Sequence, residues 1–173
     1  MEKMVLRIFQ REVERQCRFG LMAVEEVNQA LGAHNMDGIW YSIQAFLVAA
    51  GNISKLLWPP NQHYQKRGAE LRKSLSVGDD SPLGPRTFRN YFEHFDERLE
   101  EWATSSERHN FADSNVGPPG MIAGLDPGDY LRNFDPTNLT ITFRGDVYQM
   151  KPIVDSIQVL WQKAKVEAQR PHF

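Results

Sequence analysis

Residues 85–106, Pro-Arg-Thr-Phe-Arg-Asn-Tyr-Phe-Glu-His-Phe-Asp-Glu-Arg-Leu-Glu-Glu-Trp-Ala-Thr-Ser-Ser, hold two patterns at once. Phe88, Phe92, Phe95, Leu99 and Trp102 recur at spacings of four and three. At about 100° per residue, these five side chains stay within about 40° of one line on a helix. The spacing predicts a helix from about Ser81 or Pro85 to Ser106, with that stripe turned to a core. Arg89, Asn90 and His94 avoid the stripe. Asn90 and His94 are four apart and share a face, which Glu97 and Glu101 continue. Arg89 lies about 140° from His94, on a flank from which its long side chain reaches back.

The rest of the chain supplies a helical frame for that segment. Leu6, Phe9, Val13, Cys17, Gly20, Val24, Val27 and Leu31 form one stripe, predicting a long helix over about Met1–Ala33 that stops near Gly32. Asn35 or Asp37 offers the cap for a second helix, about Asp37–Trp58. Its stripe is Trp40, Ile43, Leu47, Ala50, Ile53 or Ser54, and Leu57, and Pro59-Pro60 ends it. A shorter helix follows over about Gln65–Leu75, then a loop over Val77–Pro85, where Asp79-Asp80 reads as turn chemistry.

Beyond the motif helix, residues 109–136 are rich in glycine, proline, Asn and Asp and read as a long irregular loop. Leu139–Phe143 alternates apolar and polar residues. Arg144-Gly145-Asp146 reads as a turn and Val147–Met150 as a returning strand, which makes a β-hairpin. The Arg-Gly-Asp triplet spells an adhesion tripeptide, but its place is a hairpin turn. Pro152 suits the first turn of a last helix, about Pro152–Gln169. The expected fold class is therefore mainly α, four to five helices with a small C-terminal β-hairpin, in a single domain over residues 1–173. Within it, residues 1–108 form the helical core, 109–136 the loop, and 137–173 the hairpin and last helix.

Composition narrows the functional classes. The chain has 173 residues, of which 41% are apolar and 11% aromatic, enough for a core without disulfides. Cys17 is the only cysteine, which excludes an intrachain disulfide and speaks for a small buried side chain in a reducing compartment. Trp40, Trp58, Trp102 and Trp161 are expected in the core. His34, His63, His109 and His172 lack metal-ligand spacing, so neither a metal site nor a cofactor is expected. The amino-terminal residues lack a signal-peptide core and no apolar run approaches the ~20 residues of a membrane span, so the expected location is the cytoplasm.

The net charge of −2 argues against indiscriminate binding to nucleic acid. Locally the charges separate. Lys66, Arg67, Arg72, Lys73, Arg86 and Arg89 outnumber Glu70, Asp79 and Asp80 over residues 65–90, whereas Glu93, Asp96, Glu97, Glu100, Glu101 and Glu107 face only Arg98 over 91–107. The plain alternative for the motif helix is a solvated face, with Arg89 and Glu93 as an ordinary surface pair.

The run Arg89-Asn90-Tyr91-Phe92-Glu93-His94, on a late helix after two long helices and a shorter one, resembles the signature of the HEPN superfamily. There an arginine, often followed by a polar residue such as Asn, precedes a histidine by a short spacing that varies by a residue or two. The resemblance covers about Met1–Ser106. It implies a HEPN-like bundle and a metal-independent endoribonuclease, such as a toxin or a defence or stress effector. It further implies a homodimer through the motif helix, RNA as substrate, and a cognate antitoxin as a possible partner. His94 would be the general acid or base, Arg89 would hold the phosphate, and Asn90 would orient it or the imidazole. Arg86 and Glu93 flank this trio as substrate-binding candidates. Where toxins of this kind carry a modifiable Tyr two residues past the histidine, this chain has Asp96. The other reading within the resemblance is a catalytically inactive homodimeric binding or regulatory module. A helical interaction domain with a coincidental motif is the third reading.

Overall fold

The computed structural model describes residues 1–85, 94–105 and 110–171. The chain divides into two compact units, one over Met1–Arg86 and Pro152–Phe173, the other over Thr87–Lys151. Among the described residues it is mainly helical with a small four-stranded sheet. None of the described helices is long and apolar enough to cross a membrane.

The first unit is built on α1 (Lys3–Gly32) and α2 (Met36–Leu57). On α1 the expected stripe is buried at Val13, Cys17, Gly20 and Val27, and Gln10, Ala23 and Ala30 complete the buried face. Cys17, Gly20, Ala23 and Ala30 are the small residues of that face. A Cβ on Gly20 would sit 3.5 Å from Ile157 Cδ1 and 3.6 Å from the Ala49 Cβ. Val24 and Leu31, expected on the stripe, are only half-buried, because Ala23 and Ala30 take the inner positions. The reversal after α1 uses His34, at φ 52°, as its left-handed residue, with Asn35 N–H donating to the Ala30 carbonyl at 2.9 Å. α1 ends at Gly32, where the sequence placed its stop. Asn35 caps α2, its Oδ1 accepting from Gly38 N–H at 3.0 Å.

All the expected stripe residues of α2 are buried, and Ile39, Phe46 and Ala49 join them, so α2 is the central helix of its unit. A short 3-10 turn (Gln62–Tyr64) leads into α3 (Gln65–Ser74). Arg72 of α3 donates to the Leu57 carbonyl at 2.6 Å, which satisfies an open end of α2. It also lies over the Trp58 ring at 5.2 Å and pairs with Asp79 at 2.9 Å. Helix α5 (Met150–Ala168) follows the second unit and has Ile153, Ile157, Leu160 and Ala164 buried along one stripe. Arg7 binds its end, donating to the Glu167 carbonyl at 2.7 Å, and Trp161 donates to Glu14 at 3.1 Å. Of the four tryptophans expected in the core, Trp40 is buried and Trp58, Trp102 and Trp161 are half-buried.

The second unit contains α4 (Phe95–Ser105) and the strands β1 (Asn115–Val116), β2 (Arg132–Asp135), β3 (Thr140–Phe143) and β4 (Asp146–Gln149), in that order across the sheet. β1 runs parallel to β2, and the other pairs are antiparallel. The expected hairpin is β3–β4, with Phe143 opposite Asp146. Its two-residue turn has φ 48° at Arg144 and 86° at Gly145, both positive as a type I′ turn requires. The long irregular loop expected over 109–136 is corrected by the structure, which finds β1, β2 and a 3-10 turn (Pro127–Asp129) inside it. β2 is Arg-Asn-Phe-Asp, a composition with low strand preference, and it is a strand because β1 and β3 pair with both of its edges. Leu131, Phe134, Ile141 and Phe143 form the buried centre of this unit.

Candidate functional site

His94 ends the motif run and stands at the head of α4, its carbonyl accepting from Arg98 N–H at 3.2 Å. Its side chain is 57% exposed, and Nδ1 lies 3.6 Å from Glu97 Oε1. The imidazole is therefore open to a ligand, with one carboxylate beside it, as the shared face of His94 and Glu97 implied. Arg86, Arg89, Asn90 and Glu93 lie outside the described residues, as do Phe88 and Phe92 of the aromatic stripe.

The described part of the motif helix departs from expectation in two ways. Residues 81–85 are turns, so the helix does not start at Ser81. No residue of α4 is fully buried: Phe95 and Trp102 are half-buried and Leu99 is 39% exposed. Among the described residues the strands supply the buried centre of the second unit, and Phe95, Leu99 and Trp102 are only partly covered. α4 is instead held at its edges. Trp102 donates its indole N–H to the Asp129 carbonyl at 3.1 Å and meets Phe111 edge-on at 4.9 Å. Phe95 meets Phe143 edge-on at 6.5 Å.

Polar contacts complete the attachment. Arg98, four residues after His94, donates to Glu101 Oε2 at 2.7 Å, and Arg144 of the hairpin turn donates to the same oxygen at 2.7 Å. The Arg98 hydrogen bond, helped by the charges of Arg98 and Arg144, holds the Glu101 carboxyl below the usual range. Arg98, Phe143, Arg144 and Asp146 line a cavity of about 250 Å³ at this junction. Arg132 stands over the Phe95 ring at 5.1 Å and its Nε donates to Asp113 at 2.8 Å. Burial pushes Asp113 up, but the hydrogen bond and charge of Arg132 outweigh it and leave the carboxyl below its ordinary value.

Among the described residues no group of three or more His, Cys, Asp or Glu side chains is placed to hold a metal ion. Cys17 is buried as expected, and burial, aided by the nearby Glu14, pushes its thiol up to about 12. Arg98, Glu101 and Arg144 were not legible as a cluster from sequence. Arg98 and Glu101 sit on the motif helix, but the partner that joins them, Arg144, is far along the chain in what reads only as a turn. Neither a protein-family model, nor a curated protein, nor a solved structure matches the chain.

Proposed function

We propose that the chain is a HEPN-like, metal-independent endoribonuclease that works as a homodimer through the motif helix. The observation that carries this reading is the open imidazole of His94 at the head of α4, at the end of a run that sets Arg89 and Asn90 at the spacing of that family. In the proposed reaction the RNA 2′-hydroxyl attacks the adjacent phosphorus. His94 takes the hydroxyl proton or gives a proton to the departing 5′-oxygen. Arg89 holds the phosphate and stabilises the charge that builds on it, and Asn90 orients the phosphate or the ring. Arg86 and Glu93 flank the strand. As a toxin or stress effector the protein would have a cognate antitoxin as partner.

A second reading is favoured by the acids on α4. Asp96 and Glu100 are exposed, and Glu97 stands against His94. Carboxylates so placed repel a polyanion, which suits a catalytically inactive HEPN-like homodimer that binds or regulates. One experiment separates the two. Wild type and His94→Ala are incubated with several RNAs in EDTA. Cleavage by wild type that falls by at least about 100-fold in His94→Ala is the expected result. Cleavage that survives the substitution, or none with any RNA, removes the nuclease reading. A monomer by sedimentation removes both homodimer readings.

A further inference from the structure

Helix α3 of the helical unit carries cations that have no counter-charge. Its inner face is Gly68 and Leu71, and the seat is tight: a Cβ on Gly68 would sit 2.5 Å from Pro59 Cδ and 2.6 Å from the Leu57 carbonyl oxygen. Lys66 and Lys73 stand on the opposite side of the helix and are exposed. Arg67 lies on their flank, half-buried. Of the bases of α3, Arg72 pairs with Asp79, but among the described residues no carboxylate forms an ion pair with Lys66, Arg67 or Lys73. Glu70, the one acid of α3, is taken by the amino group of Met1 at 2.6 Å.

Arg67 carries the argument furthest. Its guanidinium carbon lies 4.5 Å from the centre of the Phe9 ring and 5.3 Å from that of Tyr64, and its Nε is buried with no hydrogen-bond partner. A half-buried cation without acceptor or counter-charge is costly, and stacking on rings offsets only part of that. The same stacking fixes the plane of the guanidinium, so its outer N–H groups are held ready for an acceptor from outside.

Two features decide which anion. Lys66 and Lys73 are seven residues apart, about 10 Å along the helix axis. A chain of phosphates bridges that distance and a single small anion does not. At the amino-terminal end of α3, Tyr64 is 48% exposed and His63 is exposed, their rings meeting edge-on at 4.9 Å. Open rings beside a row of cations suit the stacking of bases, for which an acidic peptide has no counterpart.

We propose that α3 and the turn before it form a binding surface for a single-stranded polynucleotide. Lys66, Arg67 and Lys73 hold its phosphates, and Tyr64 and His63 take a base. The surface lies wholly in the helical unit and uses none of the motif residues, so it stands independently of the ribonuclease reading.

The probes are fluorescent single strands of one sequence, a 2′-O-methyl oligoribonucleotide and a DNA. Their binding is followed across a salt series for wild type, for Lys66→Ala combined with Lys73→Ala, for Tyr64→Ala and for Tyr64→Phe. The double variant should weaken binding at least about tenfold at low salt and reduce the log–log salt slope by about 1.4, about 0.7 for each of two lost phosphate contacts. Tyr64→Ala should weaken binding about tenfold with the slope unchanged, and Tyr64→Phe, which keeps the ring, should bind as wild type does. These positions are exposed, so an unchanged thermal midpoint shows that the fold is kept. This pattern with either strand supports the surface, and the tighter strand names the ligand.

Wild-type affinity and slope in the double variant, no weakening in Tyr64→Ala, or a wild type that binds neither strand overturns the surface. So does polyglutamate that displaces the probe as well as unlabelled oligonucleotide does, which would make α3 a docking face for an acidic protein. Cleavage of unmodified RNA is read separately. If His94→Ala abolishes cleavage while binding ignores the α3 substitutions, the nuclease stands and the surface falls. If no RNA is cut but the binding shifts appear, the surface stands.

Discussion

In the helical unit, Val13 and Cys17 of α1, Phe46 and Ile53 of α2, and Ile157 of α5 are all apolar and buried, and Gly20 of α1 lies beside Ala49 and Ile157. In the sheet-bearing unit the apolar centre is smaller, and much of the closure is polar. Arg132 pairs with Asp113, Arg144 and Arg98 share Glu101, and Asn133 donates to the Gly117 carbonyl at 3.1 Å. The difference is one of range. A helix satisfies its own backbone and needs a partner only for its stripe. A two- or four-residue strand has no stability of its own and depends on each neighbour, so the chain supplies side-chain bonds around it. The first arrangement stabilises through area, the second through individual contacts that charge and pH can alter.

The sharpest way to break that contrast is to open the helical core. Phe46 is fully buried on the central helix, so Phe46→Ala should cost about 3–5 kcal/mol, read as a lowered midpoint in urea unfolding. A loss under about 1 kcal/mol would mean that area is not what holds this unit. Next in size is Asn133→Ala. Asn133 is 3% exposed and bridges Asn115 and the Gly117 carbonyl, so the substitution should cost about 1–3 kcal/mol, seen as faster amide exchange across β1 and β2 with little change in α1 and α2.

Acid should separate the units further. Glu101 and Asp113 in the sheet unit are held below their ordinary values. A carboxyl depressed in the fold contributes stability that is fully present above its unfolded value, about 4, and is lost as pH falls through the folded value. In the helical unit the depressed carboxyl is Glu70, which accepts from the exposed amino terminus of Met1. Acidification below about pH 4 should therefore loosen the sheet unit first, and amide exchange or tryptophan fluorescence of Trp102 against Trp40 would follow it. Simultaneous loss of both signals would sink this expectation. The smallest expected effect is at Cys17, whose thiol is buried and pushed up to about 12. A disulfide reagent at neutral pH should leave it unmodified in the native protein and label it only as denaturant opens the helical unit.

How much was legible follows the same division. The period of α1 and α2 named the face each helix buries, though on α1 Gln10, Ala23 and Ala30 take inner positions that the stripe gave to Val24 and Leu31, and Pro59-Pro60 marked where α2 ends. The β3–β4 hairpin was legible because alternation and a Gly-bearing turn are local signals. β1 and β2 were not, since their residues read as loop until their partners are known. At the candidate site, the sequence singles out His94 and its shared face with Glu97 and Glu101, but the stripe of Phe95, Leu99 and Trp102 looked like a core-facing ridge and is only partly covered.

By itself the sequence determined the long helices, the buried lone cysteine, the hairpin and the motif run ending at His94, because each depends on neighbours within a turn or two of chain. The tertiary structure alone decided that Arg144 meets Arg98 on one Glu101 oxygen, that β2 is a strand, and that Ala23 and Ala30 are inner positions of α1. Those outcomes depend on groups far apart in the chain, and periodicity carries no information about which distant surface a side chain will meet.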